Sequence, residues 1–220
     1  MLTKPARARG IAVAAVLGMV LAWGGVTGVA TAAVITFNFE GTVTSVAPNL
    51  SSRFSTSDKL VGSYSFHSDA PDPDHDGRYS LNDLSFTLAG SAYTAHLTVD
   101  SNVLLWRNDS FVIPGIKGDL YGVSSYVTMP SNSPFIPGSY VMNIFYKSGT
   151  FPNDSLPLAP PSLGNAHYAI WALHLDGGVA RGEITSLTLA PVPLPGAVLL
   201  FGSGVLGLTA FRRFCRTRQA

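Results

Sequence analysis

The sequence contains little cysteine, little charge and few patterns that would indicate an enzyme. Its single cysteine, Cys215, lies near the C-terminus, so no disulfide bond can stabilise the rest of the chain. The five histidines, which show neither HxH nor HExxH spacing, are His67, His75, His96, His167 and His174. A phosphate-binding loop and a GxGxxG pattern are also absent from the central region. These absences predict a chain that is not an enzyme and is stabilised by burial alone.

The first 32 residues have the pattern of a secretory signal peptide. Lys4, Arg7 and Arg9 precede an apolar stretch, and the small residues Ala30 and Ala32 occupy the −3 and −1 positions of a cleavage site. An N-terminal anchor that is not cleaved is the alternative. The pattern predicts export, with residues 33–190 as the exported domain and residues 191–220 as a separate C-terminal segment.

The charge of the exported domain differs from that of the whole chain, which is +1. Of the 14 lysines and arginines, three lie in the signal peptide and four beyond residue 211, whereas all 13 acidic residues lie between Glu40 and Glu183. The domain therefore keeps seven basic residues against 13 acidic ones, a net charge of −6. This balance argues against nucleic acid as a partner.

The C-terminal segment consists of a proline-rich joint, an apolar stretch and a basic tail. Residues 196–211 carry no charge, and as a helix these 16 residues would extend over about 24 Å, slightly less than the hydrocarbon core of a bilayer. The basic residues that follow predict that this end is cytoplasmic. An ordinary single-span anchor is one interpretation. The joint contains Val192, Pro193, Leu194 and Pro195, and the tail contains Arg212, Arg213, Arg216 and Arg218.

This arrangement resembles the PEP-CTERM sorting signal of Gram-negative bacteria, in which a Pro-x-Pro motif precedes an apolar span and an arginine-rich tail. Leu194 stands where the family name has glutamate, as in a variant form of the motif. The resemblance implies recognition by an exosortase, with cleavage near Val192–Pro195 after Sec-dependent export. It also implies transient anchoring in the inner membrane, then release to the envelope or extracellular space and association with exopolysaccharide or a biofilm matrix.

The exported domain shows the period-2 alternation of strands and no stretch with helical periodicity. We expect eight or nine short antiparallel strands in a β-sandwich or jelly roll, with a signal-peptide helix before them and a single transmembrane helix after them. Gly41 is expected to bend the first strand. The expected strands are 34–45, 59–65, 84–88, 93–99, 103–107, 121–129, 140–147, 168–175 and 179–189.

Residues 62–66, 68–72 and 77–79 are similar to a recurring pattern in the extracellular domains of sorted PEP-CTERM proteins. The similarity implies a strand, an Asp-Pro turn and a returning strand, and it implies no activity.

The acidic stretch that begins at residue 72 is the best candidate for a metal site. Asp72, Asp74 and Asp76 occupy alternate positions, Gly77 follows, and Asp83 stands at position 12 of a calcium-loop pattern. Calcium requires six to eight oxygen ligands, so such spacing can serve it if the loop folds around the ion. The alternative is a turn in which aspartate and glycine only satisfy the backbone geometry. No other cofactor is indicated.

The aromatic residues of the domain allow two interpretations. They fill the core in one, and they form a sugar-stacking face in the other. The residues concerned are Trp106, Trp171, Tyr121, Tyr126, Tyr140, Tyr146 and Tyr168. The leading hypothesis is therefore a non-enzymatic exported protein, and the alternatives are a carbohydrate- or matrix-binding module and an envelope hydrolase.

Overall fold

The structure, a computed structural model, describes residues 32–72, 74–113, 116–128, 138–153 and 155–191. Nine strands and two short 3-10 helices occupy this part of the chain, and its regular structure is therefore almost entirely β, as predicted. The strands are β1 (Val34–Val46), β2 (Lys59–His67), β3 (Arg78–Leu88), β4 (Ser91–His96), β5 (Asn102–Ile113), β6 (Ile116–Thr128), β7 (Ser139–Lys147), β8 (Ala166–Leu175) and β9 (Gly178–Leu189). The 3-10 helices are Pro48–Leu50 and Leu163–Asn165.

The strands form a closed antiparallel barrel, and the predicted sandwich or jelly roll is wrong. Eight strands pair in a ring in the order β1-β2-β3-β4-β6-β7-β8-β9, and β9 pairs with β1 to complete it. A sandwich consists of two sheets with open edges, whereas here every strand of the ring has a neighbour on both sides and Phe37 of β1 lies opposite Leu189 of β9. Alternation predicts one buried face in either architecture, so the sequence pattern alone does not distinguish them.

The ninth strand, β5, lies in line with β4, so that both pair with β3 on one side and β6 on the other. β4 pairs with the C-terminal ends of β3 and β6, while β5 pairs with Arg78, Tyr79 and Ser80 of β3 and with the preceding part of β6. Residues 97–101 connect these two strands. Together β4 and β5 fill the space between β3 and β6, so the chain follows an up-and-down order around the barrel.

Several strands differ in extent from the prediction. β3 begins at Arg78, six residues before the predicted start, because its first part pairs with β5. β4 ends at His96, and β5 extends to Ile113. At Gly41, where a bend is expected, the register of β1 with β9 shifts between Glu40 and Gly41, while its register with β2 continues unchanged.

The core lies inside the barrel, and every strand contributes to it. Aromatic side chains from opposite parts of the ring meet there. The rings of Phe39 and Phe86 each pack against Tyr140, with centroid distances of 5.9 and 4.7 Å. Such ring pairs add to the stabilisation that comes from removing apolar area from water. The interior is therefore filled by side chains.

Buried tyrosines bring several hydroxyl groups into this interior. The hydroxyl groups of Tyr64 and Tyr121 are 2.9 Å apart and share a hydrogen bond. The hydroxyl groups of Tyr140 and Tyr146 are buried without a hydrogen-bond partner among the described residues. Burial raises the pKa of all four phenols well above the ordinary value, because the charged form would lose its hydration.

Trp171 packs against two glycines where β8, β9 and β1 meet. A Cβ atom added to Gly182 would lie 1.9 Å from the carbonyl oxygen of Thr42 and 2.5 Å from Nε1 of Trp171. A Cβ atom at Gly41 would lie 2.5 Å from the carbonyl oxygen of Glu183. These two positions therefore require glycine because the indole and the neighbouring backbone occupy the space of a side chain.

No helix among the described residues is long and apolar enough to cross a membrane. The predicted signal-peptide helix and transmembrane helix fall on residues 1–31 and 196–211, outside the part of the chain that the structure describes.

Alkaline pH should destabilise the barrel through its buried tyrosines. Their pKa values in the folded chain are raised above the unfolded value of about 10, so the unfolded state releases protons that the folded state retains. Their stabilising contribution is therefore complete below about pH 10 and is lost above it, by about 1.4 kcal/mol per pH unit for each tyrosine. Guanidinium denaturation at increasing pH measures this slope.

The variant Tyr140→Phe provides the control for this experiment. It removes one titrating hydroxyl group that has no partner among the described residues, so the decline above pH 10 should be shallower by about 1.4 kcal/mol per pH unit. An identical slope in the variant and the parent would contradict the assignment to these groups.

Replacing Gly182 with alanine should destabilise the barrel by about 3 kcal/mol or more, since the new methyl group collides with backbone and indole. Gly164→Ala is the matched control, because its Cβ atom would contact only Oγ of Ser162, at 3.7 Å, and the expected change is within about 0.5 kcal/mol. Chemical denaturation of both variants compares them, and equal stabilities would disprove the packing argument.

Candidate functional site

Two long loops lie at the same end of the barrel, which we call the loop end. Residues 68–77 connect β2 to β3, and residues 148–165 connect β7 to β8. β2, β7 and β9 run in the same direction around the antiparallel ring, so both loops and the exit of the chain after β9 lie at this end. The loop end therefore gathers segments that are far apart in the sequence.

Phe151 anchors the second loop to the barrel. Its backbone N–H donates to Oδ2 of the buried Asp119, at 2.9 Å, and its carbonyl oxygen accepts a hydrogen bond from Nε of Arg107, at 3.0 Å. The Phe151 ring packs edge-on against Tyr146, with 5.3 Å between centroids. Phe151 and Leu156 are both part of the core, so this loop extends the core to the loop end.

The first loop is held by the carboxylate of Asp72. Its two oxygens accept hydrogen bonds from the backbone N–H groups of Asp76 and Gly77, both at 3.1 Å. Gly77 has a φ of +74°, and His75 also has a positive φ, of +52°. These values belong to the left-handed region, which glycine adopts without strain and which only a few other residues tolerate. The aspartate and glycine of the acidic motif thus form a self-capped turn.

Trp106 of β5 fixes the far side of this loop. Its Nε1–H donates to the carbonyl oxygen of Asp76, at 2.7 Å, and the backbone N–H of Leu105 donates to the carbonyl oxygen of Gly77, at 2.8 Å. Asp76 also forms an ion pair with Arg78, with 3.3 Å between Oδ2 and Nε. The Arg78 guanidinium lies 5.9 Å from the centre of the Trp106 ring. Loop and strand are therefore joined by backbone and side-chain contacts.

Two open clefts adjoin this loop. The first, of about 300 Å³, we call the tryptophan cleft, and the second, of about 530 Å³, we call the histidine cleft. Asp72 and His75 line both clefts, and we call these two shared residues the wall. The tryptophan cleft is otherwise lined by Asp76, Gly77, Leu105, Trp106 and Arg107, and the histidine cleft by His67, Ser68, Asp69, Ala70, Tyr79, Ser155 and Leu156.

The structure separates the residues of the predicted calcium loop. Asp72, Asp74 and Asp76 lie in the first loop, but Asp83 lies on β3, five strand positions beyond Arg78, or about 16 Å at the usual rise. Asp83 faces outward, where the register of β2 and β3 shifts. Within the described ranges, no three His, Cys, Asp or Glu side chains are grouped in a way that could hold a metal ion. Calcium binding stays a prediction.

The aromatic residues divide between core and surface. Trp171, Tyr121, Tyr140 and Tyr146 are buried in the core. Tyr168 stacks on Phe145, with 5.4 Å between ring centroids. Tyr126 is 50% exposed but lies on β6 towards the end of the barrel opposite the loop end. Trp106 alone among the seven predicted candidates lines either cleft, so these residues do not form one continuous sugar-stacking face.

Sequence reasoning did not identify the clefts, because they combine residues from three distant segments. His67, Asp69 and Ser155 line one cleft, although about 90 positions separate the first from the last. These residue types also occur in hydrolases, but catalysis requires a nucleophile within hydrogen-bond reach of a base, so shared lining is not sufficient. The one sequence signal for the tryptophan cleft was Trp106, which lies on the short predicted strand 103–107.

The predicted processing residues lie largely outside the described part of the chain. This holds for Ala30, for the four motif residues Val192, Pro193, Leu194 and Pro195, and for the tail arginines Arg212, Arg213, Arg216 and Arg218. The structure does describe where the barrel ends. The backbone N–H of Ala190 donates to the carbonyl oxygen of Thr36, at 2.9 Å, immediately before the proline-rich joint.

No protein-family model matches the chain, and no curated protein or solved structure is significantly similar to it.

The variant Asp72→Ala should destabilise the protein by about 1–3 kcal/mol, because two backbone N–H groups lose a charged acceptor. Asp74→Ala changes an exposed residue of the same loop and should have an effect within about 0.5 kcal/mol. Thermal unfolding with calcium and with a chelator tests both variants. The result that would contradict this prediction is an unfolding temperature that calcium raises in the parent but not in Asp72→Ala. It would indicate that Asp72 stabilises the protein mainly by binding an ion.

Proposed function

We infer that this chain is an exported, non-enzymatic barrel protein that a C-terminal sorting signal directs to the cell envelope or the extracellular matrix. The signal peptide starts export, the apolar segment 196–211 holds the precursor at the inner membrane, and an exosortase cleaves near Val192–Pro195. The barrel is the product that this processing releases.

One observation carries this proposal: the barrel occupies the interval between the two predicted cleavage sites. β1 begins at Val34, two residues after Ala32, and β9 ends at Leu189, three residues before Val192. The last backbone hydrogen bond of the barrel that precedes the joint is made by Ala190. Cleavage at both sites would therefore leave every strand and the closing β1–β9 pairing intact.

The composition of the joint supports its role as a cleavage site. Pro193 and Pro195 have no backbone N–H group, and each proline disfavours helical geometry in the residue before it. The joint is thus suited to lie extended in the groove of a processing enzyme without adding a strand to the barrel. Its position directly after a completed fold also favours access by that enzyme.

A displayed binding module is the second candidate, and the clefts at the loop end favour it. They place an anchored tryptophan beside charged and polar side chains that could orient a polar ligand, although small-molecule sites are more often lined mainly by apolar residues. This candidate is compatible with the sorting proposal, since one concerns the destination of the protein and the other its action there.

The sorting proposal predicts the ends of the mature protein. In a host that contains an exosortase, mass spectrometry should find an N-terminus close to residue 33 and a C-terminus within 192–195. The double variant Pro193→Ala, Pro195→Ala should accumulate as an uncleaved precursor in the membrane fraction, because the joint can then adopt other conformations.

Two controls accompany this measurement. Pro152→Ala replaces an exposed proline in the second loop and should be processed like the parent. Deletion of the host exosortase should leave the parent uncleaved at its C-terminus. An intact C-terminus through Ala220 in the exosortase-positive host would disprove the sorting proposal.

A further inference from the structure

The wall, Asp72 and His75, is shared by the two clefts at the loop end of the barrel. Because both residues line the tryptophan cleft and the histidine cleft, a ligand that crosses the wall would contact both spaces. Only a ligand long enough to reach from one cleft into the other would contact both sets of lining residues.

Several contacts fix the walls of the tryptophan cleft. Trp106 is fixed by its 2.7 Å hydrogen bond to Asp76, and Asp72 fixes the turn from within. A Cβ atom at Gly77 would lie 2.2 Å from the carbonyl oxygen of Leu105 and 2.8 Å from the Trp106 ring, so the loop approaches the strand as closely as the backbone allows. A site that is already ordered loses less entropy when it binds.

The charge around the clefts limits the ligand. Asp69, Asp72 and Asp76 line them, and Asp74 is exposed in the same loop. Arg78 pairs with Asp76, and Arg107 keeps its positive charge while donating to the carbonyl oxygen of Phe151, so the carboxylates still outnumber the guanidinium groups. This balance disfavours anionic ligands through like-charge repulsion.

The apolar surface is also limited. Of the seven residues that line the tryptophan cleft, only Leu105 and Trp106 have largely apolar side chains, and the barrel interior is filled by its own core. A lipid or another wholly apolar ligand would therefore remain largely in water. A ligand with one apolar face and many hydroxyl groups meets both conditions, because it can pack on an indole and exchange hydrogen bonds with carboxylates and imidazole.

We propose that the two clefts form adjoining subsites for a neutral oligosaccharide. Trp106 packs against the C–H face of one sugar unit in the tryptophan cleft. At the wall, the carboxylate of Asp72 accepts a hydrogen bond from a sugar hydroxyl group, and the imidazole of His75 exchanges a hydrogen bond with another. The next sugar unit lies in the histidine cleft. This inference rests on the proposed function, because only an exported protein would meet an oligosaccharide of the envelope or the extracellular matrix.

The test uses the full chain in detergent with four neutral tetrasaccharides: cellotetraose, mannotetraose, galactotetraose and tetra-N-acetylchitotetraose. Tetragalacturonate serves as the anionic probe, and a lysine-rich peptide as the cationic one. Isothermal titration should detect binding of at least one neutral tetramer, and that tetramer should bind more tightly than its monosaccharide because it reaches both clefts. Trp106→Ala should weaken binding by about tenfold or more.

Matched variants separate a lost contact from a lost fold. Tyr126→Ala removes an exposed aromatic side chain towards the opposite end of the barrel and should bind like the parent. His75→Gly removes the imidazole at a position with positive φ, where glycine is unstrained, so the variant should fold and bind the tetramer more weakly. Thermal unfolding confirms that each variant is folded.

Three results would overturn the proposal. They are no saturable binding of any neutral tetramer, binding that neither Trp106→Ala nor His75→Gly weakens, and a preference for tetragalacturonate or the peptide over the neutral tetramers. None of them depends on cleavage at residues 192–195. The mass-spectrometric test of sorting and the binding test can therefore fail independently.

Discussion

The pairing of the first strand with the last is the constraint on which the remaining structure depends. β1 forms hydrogen bonds with β9 from Phe37 to Val46, so the two ends of the described domain hold each other in place. Because the ring is closed, neither of these strands presents a free edge to another chain. The contact joins residues about 150 positions apart, and closure therefore requires the whole domain. A cut within either terminal strand would open the barrel, whereas a cut after Ala190 would not.

Closure also determines where the protein can interact with other molecules. The inward-facing rings of Phe39, Phe86 and Tyr140 pack against each other, and Trp171 lies against Gly41 and Gly182. The interior is used for stability, with burial taking the place of the disulfide bonds that the domain lacks. Binding is consequently expected at the loop end, where long connections extend beyond the strands and carry polar side chains.

The acidic loop illustrates how one sequence pattern can serve two purposes. Asp72 caps the backbone at Asp76 and Gly77, and the same alternation of acidic residues resembles a calcium loop. In the folded chain the turn is stabilised by these hydrogen bonds and by Trp106. Asp83 lies on β3, because the strand starts as soon as the turn ends. The pattern therefore explains the shape of the loop, which lies against Trp106 in the tryptophan cleft and brings His75 to both clefts.

The sequence by itself determined the β class of the domain and the approximate positions of its strands, because side-chain alternation and turn residues are local signals. The export and sorting signals remain predictions from sequence patterns in residues 1–32 and 191–220. Only the tertiary structure decided that the sheet closes into a barrel, since alternation is the same in a barrel and a sandwich and the closing pair is distant in the chain. The clefts depended on tertiary structure for the same reason. His67, Trp106 and Ser155 become neighbours of one loop only when β2, β5 and the connection after β7 reach the same end of the ring.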